Sequence, residues 1–240
     1  MKALFITLLL GLMSGLSLFS IAADLPARIN ISYSMTASGL SADVNDTLEI
    51  TRVNGVRNYA ITSEARATGL LALLQRGSIV RASQGVITEA GLQPLRFLDQ
   101  RDNKPYAVAI FDWAKKLLTL QHEGNETQKP LPANSQDRVS LLYTFMFCPP
   151  TGKTVELYET DGRGLSLLRY TVTGKEMLDT PMGKLETIVL VKQQDKDDLR
   201  GRKLWFATAH HMLPVRIVAT EKDGSVLDQM VTKISYSESR

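Results

Sequence analysis

The sequence predicts a mainly β protein: a curved or partly closed, barrel-like antiparallel sheet with two short apolar helices as plug or lid. Three observations predict it. Runs of alternating apolar and polar residues recur along the chain, turn signals separate them at close spacing, and two segments, 69–77 and 137–148, are apolar on most of a helical circumference.

The first run, 29–36, sets Ile29, Ile31, Tyr33 and Met35 against Asn30, Ser32, Ser34 and Thr36, the pattern of a strand with one covered face. Leu48, Ile50 and Val53 then precede Asn54-Gly55, and Tyr59 and Ile61 follow it. Asn-Gly predicts a two-residue hairpin, because both central residues of a type I′ turn need positive φ. Further paired runs flank short connections: 107–111 and 117–121, 155–159 and 165–173, 171–178 and 184–191, 215–220 and 226–234. Strands joined by such short loops pair side by side. Residues 185–191 are apolar on both faces from Ile188 onward, which predicts cover on two sides, and the charged run 193–201 reads as a solvated loop.

Segment 69–77 holds strong helix formers, Leu70, Leu71 and Leu74 among them, between glycines. Segment 137–148 starts after a cap at Ser135 or Asp137 and stops at Pro149-Pro150. A helix hydrophobic all round must be covered all round, so both belong against the concave face of the sheet.

Residues 3–23 carry no charge and follow Lys2. An apolar stretch ending in Ser20, Ala22 and Ala23 reads as a signal peptide over 1–22 cleaved after Ala22, which leaves one β-rich periplasmic domain over 23–240 and no stable membrane span. A net charge of +3 and the lack of a basic run interleaved with aromatics argue against nucleic acid as a partner. The 44% hydrophobic and 22% charged content excludes disorder and multiple membrane spans. Cys148 is the single cysteine, so no intramolecular disulfide forms; its apolar neighbours Phe145, Met146 and Phe147 predict a buried, inert thiol.

The residues that could carry chemistry form no recognisable motif. His210 and His211 are adjacent, so on an extended segment they would point to opposite faces and could not easily share one ion, and His122 stands apart; neither a metal nor any other cofactor is expected. Asp99, Asp102, Asp112, Glu156, Glu159 and Asp161 fall near strand ends or turns, where hydrogen-bonded acids are common; a pair among them would suit a polysaccharide-acting enzyme. Arg96, Arg101, Arg202 and Arg216 lie on strands as ion-pair partners or as ligands for an anionic head group.

Several phrases then occur in a fixed order: the stretch from Gly85 through Gly91-Leu92-Gln93-Pro94 to Phe97, Phe111-Asp112-Trp113, Asp137 with Ser140 and Leu141, Thr180-Pro181-Met182-Gly183, and Trp205-Phe206-Ala207 followed by Leu213-Pro214-Val215-Arg216-Ile217. In this the chain resembles a family of exported, periplasmic bacterial proteins of unknown function, over most of its length. It departs from the family pattern at Thr208-Ala209-His210-His211, where an acidic residue is usual. Asp112 is placed to cap the turn that follows it, with Phe111 and Trp113 packing on opposite faces. The plan of a curved sheet around apolar helices is also similar to periplasmic lipoprotein carriers. The expectation is a non-catalytic carrier for a lipid or acyl chain, held by Leu70, Leu71, Leu74, Leu142, Phe145, Met146, Trp113, Trp205, Arg96 and Arg216. A lipoprotein ligand, or an envelope assembly module with a filled core and a protein partner, is the alternative.

Overall fold

A computed structural model describes residues 25–69, 77–194 and 198–237. The signal segment 1–22 and the first apolar segment, with Leu70, Leu71 and Leu74, lie outside the described residues.

Two meanders make up one sheet. The first runs through β1 (Arg28–Ala37), β2 (Leu40–Val53), β3 (Val56–Ala67), β4 (Ser78–Thr88), β5 (Gly91–Arg101), β6 (Lys104–Asp112), β7 (Leu117–His122) and β8 (Asn125–Pro130). The second holds β9 (Ser135–Asp137), β10 (Thr154–Thr160), β11 (Leu165–Thr180), β12 (Gly183–Lys192), β13 (Gly201–Ala207), β14 (Leu213–Thr220) and β15 (Val226–Ser237). Each strand pairs antiparallel with its chain neighbour, β1 pairs with β15 to join the meanders, and β9 alone runs parallel, on β10. Among the described residues this is a 15-stranded sheet with β8 and β9 at its edges, so it is rolled but not closed. The two ends nevertheless meet through side chains: Gln136 Nε2 on β9 donates to the Leu92 carbonyl of β5 at 2.7 Å, and Gly162, after β10, lies against Ala107 of β6.

Local chemistry explains the roll. Asn54 and Gly55 have φ of 50° and 82°, as the type I′ turn requires. Bulges interrupt β5 at Leu95, β6 at Tyr106, β11 at Thr173, β14 at Val215 and β15 at Thr232, and bulges bend and twist a sheet. Opposite the β5 bulge a Cβ on Gly85 of β4 would stand 2.2 Å from the Gln93 carbonyl oxygen, so only glycine lets β5 approach.

The second predicted helix is much shorter than its apolar sequence suggests. It comprises α1 (Ser140–Tyr143) and a 3-10 turn, Thr144–Met146. Asp137 is the cap: its Oδ1 accepts from the amides of Val139 and Ser140 at 2.9 and 2.8 Å. The amides of Phe147 and Cys148 both bond to the Thr144 carbonyl, which tightens the chain into its last turn before Pro149-Pro150. This single short helix is wedged between two hydrophobic clusters. Tyr143 and Met146 enter the larger one, with Ile29, Leu48, Phe97 and Val189, while Leu141 and Phe145 enter a second with Leu190, Leu204 and Phe206. Val189 and Leu190 are neighbours in sequence yet sit in different clusters, so β12 is covered on both faces as its sequence predicts.

The sheet is rolled and not closed, and of the two expected helices one is described, far shorter than expected. Two expectations need correction. Phe111 and Trp113 do not pack on opposite faces: their rings stack at 6.1 Å and 14°, with Trp113 in the turn just past the end of β6. Asp112 does cap the turn, accepting the Lys115 amide at 2.9 Å. Cys148 is exposed rather than buried, since the chain leaves the core after Phe147, which still packs on the larger cluster.

Candidate functional site

Polar groups gather in two places, beneath α1 and in a cleft at one end of the second meander. Beneath α1 they act as locks. The Tyr143 hydroxyl donates to Asp46 Oδ2 of β2 at 2.5 Å, and the Tyr33 hydroxyl donates to the Pro214 carbonyl at 2.9 Å, tying β1 to β14. Ser83 Oγ of β4 donates to Asp137 Oδ2 at 2.6 Å and lies 3.1 Å from the Tyr59 hydroxyl. Both carboxyls are fully enclosed. Burial pushes Asp46 up to about 6, against the opposing pull of Ser63, Tyr143 and Arg81. Burial likewise pushes Asp137 up to about 6, against hydrogen bonds from Ser83 and the amides of Ser140 and Val139. These groups are sealed from solvent, so they hold the helix rather than meet a ligand.

The cleft is different. Strand connections in a meander alternate between its two ends, so the turns after β10, β12 and β14 fall together. They enclose about 910 Å³ open to solvent. At its floor Arg202 of β13 grips Glu159 of β10: Nη1 donates to Oε2, and Nη2 donates to Oε1 at 3.2 Å. Burial alone would depress the Arg202 guanidinium, but Glu159 and the Tyr170 hydroxyl at 3.3 Å raise it above its ordinary range. Arg138 approaches the same carboxylate at 3.9 Å. On another wall Asp198 is shared by Lys192 at 2.5 Å and Arg200 at 3.1 Å, and the Lys192 hydrogen bond leads the interactions that hold the Asp198 carboxyl well below its usual range. Arg163 binds Asp161 in the β10–β11 turn, whose Gly162 has φ +85° and would, with a Cβ, press 2.8 Å from Ala107 Cβ. That clamp fixes one wall of the cleft.

The residues expected to bind lipid do not form one open surface. Phe145 and Met146 are buried, and Leu142 is partly buried between both clusters. Trp113 packs on the larger cluster and donates Nε1 to the Pro94 carbonyl at 2.7 Å. Trp205 is buried, donates to Glu176 Oε1 at 3.1 Å, and has the Arg216 guanidinium 5.0 Å and Lys203 Nζ 4.4 Å from its ring. Arg216 is also paired with Asp228 at 2.6 Å, and Arg101 lies 3.8 Å from Asp99 and over the Tyr106 ring. Arg96 is exposed and makes no ion pair among the described residues. The ion-pair reading thus describes Arg101, Arg202 and Arg216.

Of the six acids considered for catalysis, five face a cation: Asp99 with Arg81, Asp112 with Lys115, Glu156 with Arg169, Glu159 with Arg202 and Asp161 with Arg163. Carboxylates held this way are structural partners rather than a free acid and base. Among the described residues no group of three or more His, Cys, Asp or Glu is placed to hold a metal. Sequence reasoning found the turns that build the cleft but missed Arg138, Lys192, Arg200 and Lys222. The alternation of meander turns was the available signal.

A β-barrel-like protein of the DUF1849 domain of unknown function from Brucella abortus is similar in structure, at 9% identity over 89% of this chain and 99% of that one, with a TM-score of 0.55. MucB aligns at 8% identity over 91% of this chain and 56% of its own, with a TM-score of 0.35. A DUF1329 family protein from Desulfovibrio piger aligns at 10% identity over 89% and 87%, with a TM-score of 0.28. The first likeness is one of fold alone. No curated protein matches the sequence. The model of the DUF3108 family, proteins of unknown function, matches residues 32–232, and the chain belongs to that family.

Proposed function

We propose that the protein is a non-catalytic binding module of the bacterial cell envelope, exported to the periplasm, whose interior is filled and which takes its ligand or partner at its surface. The observation that carries this reading is the state of α1. Leu141 and Tyr143 have no exposed surface, and Phe145 retains 4%, so the residues nearest a would-be lipid cavity pack against side chains of both meanders. The Tyr143–Asp46 and Asp137–Ser83 hydrogen bonds pin that packing, and opening the interior to an acyl chain would strand these buried groups. The neutralised carboxylates support binding rather than hydrolysis. Export is supported by the uncharged run 3–23, and no helix of the described residues is long and apolar enough to cross a membrane.

Expression of the whole chain in a Gram-negative host, followed by native mass spectrometry of the periplasmic extract, tests the reading. The expected species begins at Ala23 and carries no lipid. A stoichiometric co-purified lipid would overturn the filled interior, and retention in the membrane fraction would overturn export.

A further inference from the structure

We propose that the cleft at the β10–β11, β12–β13 and β14–β15 turns binds a ligand presenting two or more phosphate groups. Among the described residues its lining holds seven cationic side chains, Arg138, Arg163, Arg169, Lys192, Arg200, Arg202 and Lys222, against four carboxylates, and Arg169 is neutralised by a fifth, Glu156, outside the lining. The imbalance has a definite geometry. Glu159 serves Arg202 and Arg138 together, and Asp198 serves Lys192 and Arg200 together, so each shared carboxylate leaves one positive charge over. At 3.9 Å the Arg138–Glu159 contact is beyond hydrogen-bonding distance, and the Arg138 donors are not spent on it. Lys222 is exposed and has no ion-pair partner among the described residues. Two surplus charges at two separate carboxylates, with Lys222 near them, call for more than one anionic group.

Phosphate suits these side chains because a guanidinium offers a planar fork of donors that two phosphate oxygens accept at once. One wall and the floor are set in advance. Gly162 fixes the Asp161–Arg163 turn against β6, and the Arg202–Glu159 pair fixes the floor, so little ordering is lost on binding. A volume of about 910 Å³ exceeds what one phosphate fills and is within the range of sites for larger molecules.

The inference rests on the surface-binding reading above but fails separately from it: lipid in the native mass spectrum overturns the filled interior, whereas calorimetry addresses the cleft. Titration of the exported chain with inorganic tripolyphosphate is expected to give saturable binding roughly tenfold or more tighter than orthophosphate. Lys222→Glu, at an exposed position where folding is unaffected, weakens tripolyphosphate about tenfold, while Lys129→Glu on the distant edge strand β8 leaves it unchanged. Heat unfolding of each variant checks that the fold is retained. No binding of tripolyphosphate at about 1 mM, equal affinity for orthophosphate, or equal losses in the two variants would overturn the proposal.

Discussion

In β1 the buried residues Ile29, Ile31 and Tyr33 alternate with more accessible ones, whereas in β13 Leu204, Trp205, Phe206 and Ala207 are buried in succession. β1 is covered on one face, and the centre of the second meander on two, because α1 and the two clusters lie on either side of it. The second meander, which adds the smaller cluster to the shared core, also carries the cleft.

That contrast can be broken by core truncation. Phe206 has no exposed surface and meets Phe145 edge-on at 5.0 Å. Phe206→Ala is expected to lower unfolding free energy by about 3–5 kcal/mol in a denaturant titration. Ile110 on β6 in the first meander is 37% exposed, and Ile110→Ala is expected to cost less than about 1 kcal/mol. Similar losses in the two variants would mean that the two faces of β13 are not filled as described.

The next effect concerns charge at the cleft floor. Glu159→Gln leaves the largely enclosed Arg202 without its carboxylate and is expected to destabilise the fold by about 3 kcal/mol. Replacing both partners at once, Glu159→Leu with Arg202→Met, should restore most of that loss, since apolar side chains of similar volume avoid the desolvation of two charges. If the double variant is no better than the single one, the pair contributes more than mutual neutralisation.

The same contrast governs what could be read from the sequence. Period-two alternation made β1 and the Asn54-Gly55 hairpin legible, because one-sided cover writes itself into every second residue. Continuous apolarity made the two-sided cover of β12 legible from residue 188 onward. The length of α1 was not legible: apolar residues from Val139 to Phe147 satisfy core contacts whether helical or not, and the choice lies in the tight turn at the Thr144 carbonyl. The cleft was hidden for another reason. Its residues come from 138, 159–169, 192–202 and 219–222, and only strand order brings those segments together. Nor does sequence reveal that Asp46 of β2 faces Tyr143, 97 residues away.

Those enclosed acids predict a dependence on pH in which the carboxyls packed against α1 oppose those of the cleft. Asp46 and Asp137 hold protons in the folded chain, up to about 6, where the unfolded chain has released them. Their stabilising contribution is thus complete below about pH 4 and is lost as pH rises through about 6. Asp161 and Asp198 in the cleft are held below their usual range and act in the reverse sense, losing their contribution as pH falls below about 4. Stability should therefore peak near about pH 4, where neither set has lost its contribution. Asp46→Asn should flatten the decline on the alkaline side by on the order of 2 kcal/mol, read from urea midpoints between about pH 4.5 and 7.5. An unchanged slope would mean that Asp46 is ionised in the fold at low pH, contrary to its enclosure.

The smallest expected effect is at Cys148, where the two meanders come close together. Gly91, at the start of β5, has φ +104°, and a Cβ there would stand 2.4 Å from Thr144 Oγ1 and 3.5 Å from Cys148 Cβ. The backbone of Cys148 is therefore held close to the first meander while its side chain is exposed. Cys148→Ser should change unfolding free energy by less than about 0.5 kcal/mol, because no core contact is lost. The native thiol should accept a maleimide as completely as it does in denaturant. Labelling that requires unfolding would return Cys148 to the core and extend the helical wedge by a further turn, and with it the two-sided cover that separates the second meander from the first.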